Sequence, residues 1–369
     1  MSYLYVPDSY EELIHCARPS VGLYAIVCID NTTLGIACGG TRCYPYTTYA
    51  DAELDTRRLA HAMTHKGAML WPDYHVGGGK AVIMGDPATV KTPELLREYG
   101  AFIDSLAGKF LTGEDMGFYV ADVEGMHSKY VFGKSVSHGG GGNPASMTAL
   151  GCLYGMRAAL QLYFGSRKFA PRFRPPLTLV FQGMGAVGYE LAKLAHENGA
   201  RLVVCDPDPE KVARAQREFG AEKAEPETIY ETPGDIFVPC ARGGVLNEAT
   251  IPRLQCHIVA GSANNQFADP EKDSLLLHRR GIVHIPDYVI NAGGLISITE
   301  EAEPGGYNET RAQRNTRKIY DRVFAILTIS RDEDVPPQFV ADAIVRYRVA
   351  HIAQHKTLCY DFDTLKLYL

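Results

Sequence analysis

With 369 residues, of which 46% are hydrophobic and 22% are charged, the chain is long enough for two globular domains with sizeable cores. The net charge of −6, with both signs interspersed and no lysine- or arginine-rich run, argues against a nucleic-acid-binding surface. No stretch approaches the roughly 18 consecutive apolar residues of a membrane span. The N-terminal segment has no basic region followed by an apolar one, so we expect neither a membrane anchor nor a signal peptide.

The nine cysteines are odd in number and widely spaced, and no Cys-x-x-Cys pair occurs among them. This pattern predicts buried free thiols in a reducing cytoplasm, and it disfavours a disulfide framework or a zinc site. His61 and His65 lie four residues apart on a predicted helix, but no glutamate follows His61 as the zinc motif His-Glu-x-x-His requires. We therefore expect no metal.

The first part of the chain mixes predicted strands and helices, as an α/β domain does. LYAIVCID and KAVIMGDP are typical of strands, whereas YADAELDTRRLAHAMTHKGAML has apolar residues near helical spacing. A second helix is predicted in TPELLREYGAFIDSLAG, where Thr92 and Pro93 occupy the N-cap and the first helical position.

The stretch HVGGGKAVI places Lys80 directly after three glycines and directly before an apolar run. Three interpretations compete: a phosphate-binding loop, a tight turn with a solvated lysine, or a catalytic amine that a substrate must approach closely. The spacing excludes a Walker A loop, which requires a glycine and a serine or threonine where Tyr74 and Ala81 stand. The other two interpretations stay open on these residues alone.

From about residue 145 onward, short apolar strands alternate with helices, which predicts a parallel, doubly wound sheet of the Rossmann type. A long buried helix, PASMTALGCLYGMRAALQLYFG, and a basic, proline-broken loop, RKFAPRFRPP, precede these strands. We therefore predict one domain over residues 1–145 and a second over 146–335. Residues 336–369 form a helical third segment, for which packing back on the first domain is one arrangement.

A dinucleotide-binding fingerprint, Gly-x-Gly-x-x-Gly, lies between the predicted strand LTLVFQ and the helix after it. A second strand then ends in Asp206, 18 residues after the last glycine, where a carboxylate can bond ribose hydroxyls and repel a 2′-phosphate. This favours NAD over NADP, and Arg201 is expected to lie too far away to reverse the preference. The alternative is a glycine-rich turn without a ligand. The candidate cofactor-binding residues here are Gly183, Gly185, Ala186, Val187, Gly188 and Asp206.

Two further charged residues accompany Lys80. Lys66 lies 14 residues upstream in MTHKGAM, and Asp115 lies downstream in the acidic turn LTGEDMG. Two amines and a carboxylate beside a nicotinamide site are the groups that oxidation of an amino acid needs: a cation for the substrate carboxylate, a general base, and a proton relay. The alternative is that Lys66 caps its helix and Lys80 is a solvated residue at a strand edge.

Nine motifs in order along nearly the whole chain resemble the Glu/Leu/Phe/Val amino-acid dehydrogenase family, and most closely its leucine, phenylalanine and tryptophan dehydrogenase branch. They are CGGTRCYPY, MTHKGAM, VGGGKAVIMGDP, LTGEDMG, GNPASMTALG, QGMGAVG, DIFVPCARGGVLN, IVAGSANNQ and PDYVINAGGLI. The resemblance implies a substrate-binding, catalytic domain over 1–145, an NAD-binding Rossmann domain over 146–335, and a cleft between them that closes.

The resemblance also implies residue roles. Lys80 matches the catalytic lysine, Lys66 the lysine that holds the substrate carboxylate, and Asp115 the acid that contacts the substrate amine and relays protons. Six further residues are implied to bind substrate and four to bind cofactor. The first group is Gly39, Gly40, Gly113, Asn265 and Leu295, joined by Asn291 at the junction with nicotinamide, and the second is Thr148, Cys240, Ala241 and Asn264.

The activity that the resemblance implies is NAD-dependent oxidative deamination of an L-amino acid to a 2-oxo acid and ammonia, and the reverse reaction. Lys80, desolvated and close to Lys66, is expected to lose its proton near neutral pH and activate water. The three glycines before Lys80 are expected to keep Cβ atoms out of the cleft. The resemblance further implies a homo-oligomer in the cytoplasm.

An apolar substrate side chain is expected, because the matched pocket positions carry no charge: Cys38, Gly113, Val289, Leu295 and Ser297. The small Gly113 slightly favours an aromatic substrate over a branched aliphatic one, and the bulkier Leu295 counts slightly against this. Two alternatives stay open: a biosynthetic enzyme of the same fold that uses an aromatic 2-oxo acid in a coupling reaction, and a non-catalytic NAD-binding paralogue.

Two segments depart from the family pattern. LWPDYHV lengthens the chain between the two lysines, and its Trp71 is either a pocket wall or part of a longer surface loop. SHGGGGNPAS carries extra glycines at the expected hinge, where they either change closure or merely extend a linker.

Overall fold

The computed structural model describes residues 9–170 and 175–352, which form two α/β domains. Six strands build the first domain: β1 (Glu12–Arg18), β2 (Leu23–Asn31), β3 (Ile36–Cys38), β4 (Thr41–Tyr44), β5 (Val76–Met84) and β6 (Phe110–Leu111). They form a mixed sheet in the order β1-β2-β5-β3-β6, with β4 paired to β5. Its helices are α1 (Tyr49–Leu70), α2 (Pro93–Ser105) and α3 (Val120–Gly125).

The second domain is built on a parallel sheet of six strands: β7 (Thr178–Gln182), β8 (Arg201–Cys205), β9 (Glu222–Lys223), β10 (Ile236–Pro239), β11 (Ile258–Val259) and β12 (Val283–His284). The order is β12-β11-β10-β7-β8-β9, so the direction of winding reverses between β7 and β10. In open α/β sheets, ligands bind at such a switch point. The predicted doubly wound sheet is confirmed.

Nine helices follow in the described part of this second half. They are α4 (Ala145–Phe164), α5 (Ala186–Glu197), α6 (Pro209–Phe219), α7 (Pro270–Arg279), α8 (Asp287–Ile290), α9 (Gly293–Thr299), α10 (Glu309–Arg317), α11 (Ile319–Glu333) and α12 (Pro337–Ile352). Within the described ranges, none of the helices has the length and apolar character needed to cross a membrane.

The helix termini follow local sequence signals. Thr48 and Asp51 form a reciprocal capping box at the start of α1, and Thr92 caps α2 ahead of Pro93, so both helix predictions are confirmed. Such caps satisfy backbone N–H groups that have no partner within the helix. The basic loop RKFAPRFRPP falls partly outside the described residues, at 171–174.

The glycines of HVGGGKAVI lie inside β5, so the tight-turn interpretation is wrong. A Cβ atom on Gly78 would lie 1.9 Å from the Thr64 Oγ1 atom of α1, and one on Gly79 would lie 2.8 Å from the Phe110 ring. A Cβ atom on Gly77 would lie 2.4 Å from the carbonyl oxygen of Asn31. The expectation that these glycines keep the substrate cleft open is therefore also wrong. Their hydrogen atoms face helix α1 and the neighbouring strands, which pack directly on the backbone of β5.

The larger hydrophobic core extends from the parallel sheet to the end of α1 and the segment after it. Trp71 is buried in this core, with 7% of its surface exposed, whereas Pro72 and His75 are exposed. The surface-loop interpretation is therefore wrong for Trp71. A large indole in the core stabilises the junction of the two domains by removing apolar surface from water.

Helix α12 packs against both domains. The Arg348 guanidinium donates a hydrogen bond to the carbonyl of Ala68 in α1, and the Tyr288 hydroxyl of α8 donates to Asp342 Oδ1 at 2.6 Å. Residues 353–369, which the prediction placed in the same segment, lie outside the described residues.

The glycine-rich segment SHGGGGNPAS contacts two carboxylates, Glu124 through His138 and Glu301 through the backbone of Gly141. Glu301 accepts hydrogen bonds from the backbone amides of Gly133 and Gly141, at 3.1 and 3.2 Å. A Cβ atom on Gly140 would lie 2.0 Å from the carbonyl oxygen of Lys134. At least part of this segment is therefore a packed turn around Glu301, and its effect on any closure stays a prediction.

The close packing of α1 on β5 predicts that Gly78→Ala destabilises the protein. The added methyl group overlaps backbone and side-chain atoms of Thr64, so we expect the free energy of unfolding to fall by about 3 kcal/mol, measured by urea denaturation. Gly125→Ala is the matched control, because its Cβ atom would meet only the tip of the Leu96 side chain, at 3.0 Å. Equal effects of the two substitutions would contradict this account of the glycines.

Candidate active site

Lys80 and Asp115 form an ion pair at the centre of the first domain. Lys80 lies in the middle of β5 and is 5% exposed, and its Nζ atom lies 3.2 Å from Asp115 Oδ2. Asp115 follows β6 in a turn closed by two backbone hydrogen bonds with Phe118, at 3.0 and 2.9 Å. The solvated strand-edge alternative for Lys80 is therefore wrong.

Lys66 connects the first domain to the second. It lies in the last turn of α1, and its Nζ atom donates a hydrogen bond to Asn264 Oδ1 at 3.1 Å. The same oxygen accepts a hydrogen bond from Asn291 Nδ2 at 2.8 Å. The Lys66 side chain is therefore engaged in the junction between the domains and does not cap its own helix.

The pKa values of the two lysines are lowered, mainly by burial. Burial and the nearby Arg42 lower the pKa of Lys80, although Asp115 opposes the shift. Burial lowers the pKa of Lys66 to about 8, and the positive charge of Lys80 contributes, whereas Asp287 raises it. Burial by itself would raise the pKa of Asp115, but Lys80 and Arg42 outweigh it, so that this pKa is lowered.

The sequence analysis did not identify three charged residues of the site, which are Arg42, Asp55 and Asp287. Arg42 bonds Asp115 and also Asp55, with distances of 3.0 and 2.9 Å. Asp287 is buried and accepts a backbone hydrogen bond from Tyr288 at 2.7 Å. Arg42 lies in the motif CGGTRCYPY and Asp287 in PDYVINAGGLI, so charged residues inside the matched motifs were the available signal.

The glycines assigned to substrate binding are required by packing. A Cβ atom on Gly39 would lie 1.9 Å from the carbonyl oxygen of Gly79, and one on Gly40 would lie 2.2 Å from that of Glu114. A Cβ atom on Gly113 would lie 2.9 Å from the carbonyl oxygen of Phe132. The expectation that Gly113 enlarges the substrate pocket is therefore wrong, because the Phe132 backbone fills the space.

Asn264 and Asn265 occupy different surroundings. The side chain of Asn264 contacts Lys66, whereas Asn265 lines a separate cavity of about 680 Å³ between α1, α12 and the second domain. Asn265 has a positive φ of 52°, and its carbonyl accepts a hydrogen bond from the Gly244 amide at 2.8 Å. The sequence placed Asn265 at the substrate and Asn264 at the cofactor. In the structure it is Asn264 that touches the lysine assigned to the substrate.

The dinucleotide fingerprint forms a tight turn between β7 and α5. Gly183 has a φ of 100°, and a Cβ atom on Gly188 would lie 2.3 Å from the carbonyl oxygen of Gly183. A Cβ atom on Gly183 would lie 2.8 Å from the Cβ atom of Ala241, which follows β10. The backbone amide of Cys240 donates a hydrogen bond to the carbonyl oxygen of Gln182 at 2.8 Å. The fingerprint therefore packs against the end of β10 at the switch point of the sheet.

A cavity of about 530 Å³ opens beside this turn, and its lining includes Met184, Gly185, Ala186, Lys211 and Arg214. Gly185 leaves open space where its side chain would stand. The Asp206 carboxylate accepts a hydrogen bond from the Met184 amide at 2.7 Å and lies 3.7 Å from Lys211 Nζ. The N-terminus of α5, the open space beside Gly185 and the fixed Asp206 carboxylate are features that suit a bound dinucleotide. Val187 lies in the first turn of α5.

Thr148 lies in α4 and Leu295 lies in α9, and these two helices pack against each other. Thr148 is in the first turn of α4, and its hydroxyl donates to the Pro144 carbonyl at 3.0 Å; a Cβ atom on Gly294 of α9 would lie 2.6 Å from that hydroxyl. The other predicted pocket residues are uncharged and buried: Cys38, Val289, Leu295 and Ser297. In residues 9–170 and 175–352, no group of three His, Cys, Asp or Glu side chains could hold a metal ion.

Two stretches of the chain match known protein families. Residues 14–132 match the "Glu/Leu/Phe/Val dehydrogenase, dimerisation domain", and residues 206–326 match "Glutamate/Leucine/Phenylalanine/Valine dehydrogenase". Leucine dehydrogenase of Thermoactinomyces intermedius is 42% identical over 92% of this chain and 91% of its own. Valine dehydrogenase of Streptomyces coelicolor is 39% identical over 92% of each.

A solved structure supports the same assignment. The crystal structure of L-tryptophan dehydrogenase from Nostoc punctiforme is 39% identical, covers 93% of this chain and 97% of its own, and superimposes with a TM-score of 0.77. Fold and site together define a two-domain α/β dehydrogenase. The chain belongs to the Glu/Leu/Phe/Val dehydrogenase family and is an NAD(P)-dependent amino-acid dehydrogenase that acts on a CH–NH2 group. The resemblance stated from the sequence is confirmed, and the dimerisation domain implies an oligomer.

The lowered pKa of Lys66 predicts a titration near pH 8. We expect the resonance of ¹³C-methylated Lys66, assigned with Lys66→Gln, to have its NMR midpoint near pH 8; an ordinary lysine titrates at about 10.4. Because folding lowers this pKa, the group's contribution to the free energy of unfolding rises with pH from about 8 to about 10. A midpoint at the ordinary value would contradict the burial argument.

Proposed function

We propose that the chain catalyses the NAD-dependent oxidative deamination of an apolar L-amino acid to its 2-oxo acid, and the reverse reductive amination. One observation carries this proposal: a buried lysine of lowered pKa lies 3.2 Å from a carboxylate, in a domain whose second lysine reaches across to the dinucleotide-binding domain. A non-catalytic NAD-binding protein has no need for two desolvated amines. Burying them costs stability, and a catalytic role explains why the cost is tolerated.

Lys66 is the proposed anchor of the substrate carboxylate. The Lys66 residue as a whole is half-buried and its amine donates to Asn264, so a carboxylate can join or replace that amide as its partner. With a pKa of about 8 in this structure, the amine is charged at neutral pH, and an arriving carboxylate stabilises the charged form further. Gly39, Gly40 and Asn291 are proposed to line the same place with backbone and amide groups.

Lys80 and Asp115 are the proposed catalytic pair. Nicotinamide, when bound, supplies the hydride acceptor, and the oxidised substrate is an iminium ion. Lys80 in its neutral form removes a proton from the water that attacks the iminium carbon. Asp115 accepts a hydrogen bond from the substrate nitrogen and passes the proton that ammonia needs to leave. The lowered pKa of Lys80 supports this role. An amine with a lower pKa is neutral, and so able to accept a proton, at a lower pH than the amine of an exposed lysine.

NAD is proposed as the cofactor. Asp206 stands at the end of β8, held by the Met184 amide, where it can bond ribose hydroxyls and repel a 2′-phosphate. Arg201, which could favour a phosphate, is exposed and lies 3.7 Å from Glu222. The remaining proposed contacts are Gly183, Gly185, Ala186, Val187, Gly188, Thr148, Cys240, Ala241 and Asn264.

The substrate side chain is proposed to be apolar. Cys38, Val289 and Leu295 are buried and uncharged, and a second substrate carboxylate would find no cation among the matched pocket residues. The slight preference for aromatic over branched-chain substrates rested on Gly113, whose vacated space is occupied by the Phe132 carbonyl. The choice between these two classes is therefore left to assay.

We also propose a homo-oligomer in the cytoplasm. The edge strand β1 pairs only with β2 among the described strands, so its other side can pair with a second copy. The cysteines of the described ranges are free, and six of these eight are buried, which suits a reducing compartment.

The role of Lys80 predicts the behaviour of Lys80→Ala. We expect kcat to fall by at least about 100-fold in an assay of NADH formation with Leu, Val, Phe, Tyr and Trp, because the general base is lost. Lys109→Ala, which removes an exposed lysine paired with Glu12, is the control and is expected to retain parental activity. Parental activity in Lys80→Ala would refute the proposed mechanism.

The role of Asp206 predicts a change in cofactor preference. We expect Asp206→Ser to raise the ratio of kcat/KM for NADP to that for NAD by about tenfold, because a charge that repels the 2′-phosphate is removed. Asp208→Ser is the matched control, since this exposed carboxylate caps α6 and serine caps equally well. A parental ratio in Asp206→Ser would show that the carboxylate does not select the cofactor.

A further inference from the structure

A chain of charged and polar side chains lies behind Asp115, and the proposed chemistry does not use it. Arg42 donates from Nε to Asp115 Oδ2 at 3.0 Å and from Nη1 to Asp55 Oδ2 at 2.9 Å. The Tyr46 hydroxyl donates to the same oxygen of Asp55 at 2.6 Å. The side chains of Arg42, Asp55 and Asp115 are 19 to 25% exposed, so all three are largely removed from water.

The register of the sheet explains why Arg42 faces the site. Strands β4 and β5 are parallel, and Arg42 pairs with Val82. Side chains alternate along a strand, so Lys80 and Val82 share a face of the sheet, and Arg42 lies on that face with them. Val82 packs against Ala52 of α1, and Asp55 follows Ala52 by one helical turn. Asp55 and Asp115 thus approach Arg42 from two different elements.

The hydrogen bonds of Asp115 are uneven. Its Oδ2 atom receives both the Arg42 guanidinium and the Lys80 amine, whereas its Oδ1 atom bonds no group among the described residues. Arg42 can bond two carboxylates at once because its guanidinium is a planar fork with donors pointing in fixed directions. A lysine in its place would supply the charge without the fork.

We propose that Arg42, held by Asp55, which in turn accepts a hydrogen bond from Tyr46, is a positioning residue that keeps Asp115 turned so that Oδ2 faces Lys80 and Oδ1 faces the substrate amine. The inference rests on the proposed function of Lys80 and Asp115. It assigns to the Arg42–Asp55 pair a part in the reaction although neither residue touches the reacting atoms.

Arg42 and Asp55 both influence the pKa of Lys80, and this influence can be measured. Burial is the main cause of the lowered pKa of Lys80; Arg42 lowers it further, whereas Asp115 and Asp55 raise it. The titratable and charged groups that face Lys80 come from five elements: Cys28 from β2, which pairs with Lys80, Cys38 at the end of β3, Arg42 from β4, Asp55 and Lys66 from α1, and Asp115 after β6. Removing the charge of Arg42 therefore raises the pKa of Lys80, whereas removing the charge of Asp55 lowers it.

The test is the pH dependence of kcat for oxidative deamination, because its acidic limb reports the loss of the proton from Lys80. We expect Arg42→Met to move the midpoint up by roughly 0.5 to 1 pH unit and Asp55→Asn to move it down by a similar amount. The double variant is expected to return toward the parental midpoint. Arg97→Met, which removes an exposed ion pair with Glu94, is the matched control and leaves the midpoint unchanged.

A fourth variant separates charge from positioning. Arg42→Lys keeps the charge, so its midpoint stays near the parental one, but without the fork kcat falls by about tenfold while KM for the amino acid changes little, since Lys66 holds the carboxylate. A purely structural role for Arg42 would lower thermal stability and leave the midpoints of the folded variants alike.

The outcomes discriminate between the two proposals. Coincident midpoints in Asp55→Asn and the parent overturn the role of the pair, and this variant decides the matter by itself if Arg42→Met does not fold. Parental activity in Lys80→Ala overturns the proposed function instead. Loss of activity in Lys80→Ala with opposite shifts in the other two variants supports both proposals.

Discussion

Helix α1 lies directly on the backbone of β5, and the rest of the site depends on this contact. Only glycine fits at positions 77 to 79, because a Cβ atom on any of them would overlap helix or strand atoms. The close approach sets the distance between the helix that carries Asp55 and Lys66 and the strand that carries Lys80. The same approach buries the lysine amine, and burial is the main cause of its lowered pKa.

The charges of the site balance one another in a region that water hardly reaches. Lys80 and Arg42 face Asp115 and Asp55, so two cations are set against two anions. A buried ion would be costly by itself, whereas each charge in a connected set has an opposite charge beside it. A change of charge at one member is therefore felt by the others, and Arg42 of β4 and Asp55 of α1 both influence the pKa of Lys80.

The two domains meet through contacts of different kinds. At the base of the junction, Trp71 is buried in the shared core and Arg348 of α12 binds the backbone of α1. At the site, one polar contact between Lys66 and Asn264 crosses from one domain to the other. Asp73 of the first domain also forms ion pairs with Lys318 and Arg322 of the second. Away from the site, the junction is therefore held by both apolar packing and charge pairs.

The fold class and many of the helices and strands were predictable from the sequence alone. Alternating apolar strands and helices, the fingerprint around Gly183 and the cap at Thr92 are local signals, because strand burial, tight turns and helix termini depend on neighbours in the chain. Matched motifs pointed to Lys66, Lys80 and Asp115, whose roles in the reaction stay predictions, although the residues alone left a turn and a solvated lysine open.

Only the tertiary structure decided what the glycines face, which asparagine meets Lys66, and that Arg42 bonds Asp115. These facts depend on the register of β4 on β5 and on the depth of α1 above the sheet, and no neighbour in the sequence encodes either. A missing Cβ atom indicates that something approaches closely. Whether that neighbour is a substrate or, as at Gly78 and Gly113, another part of the chain is settled by packing in three dimensions.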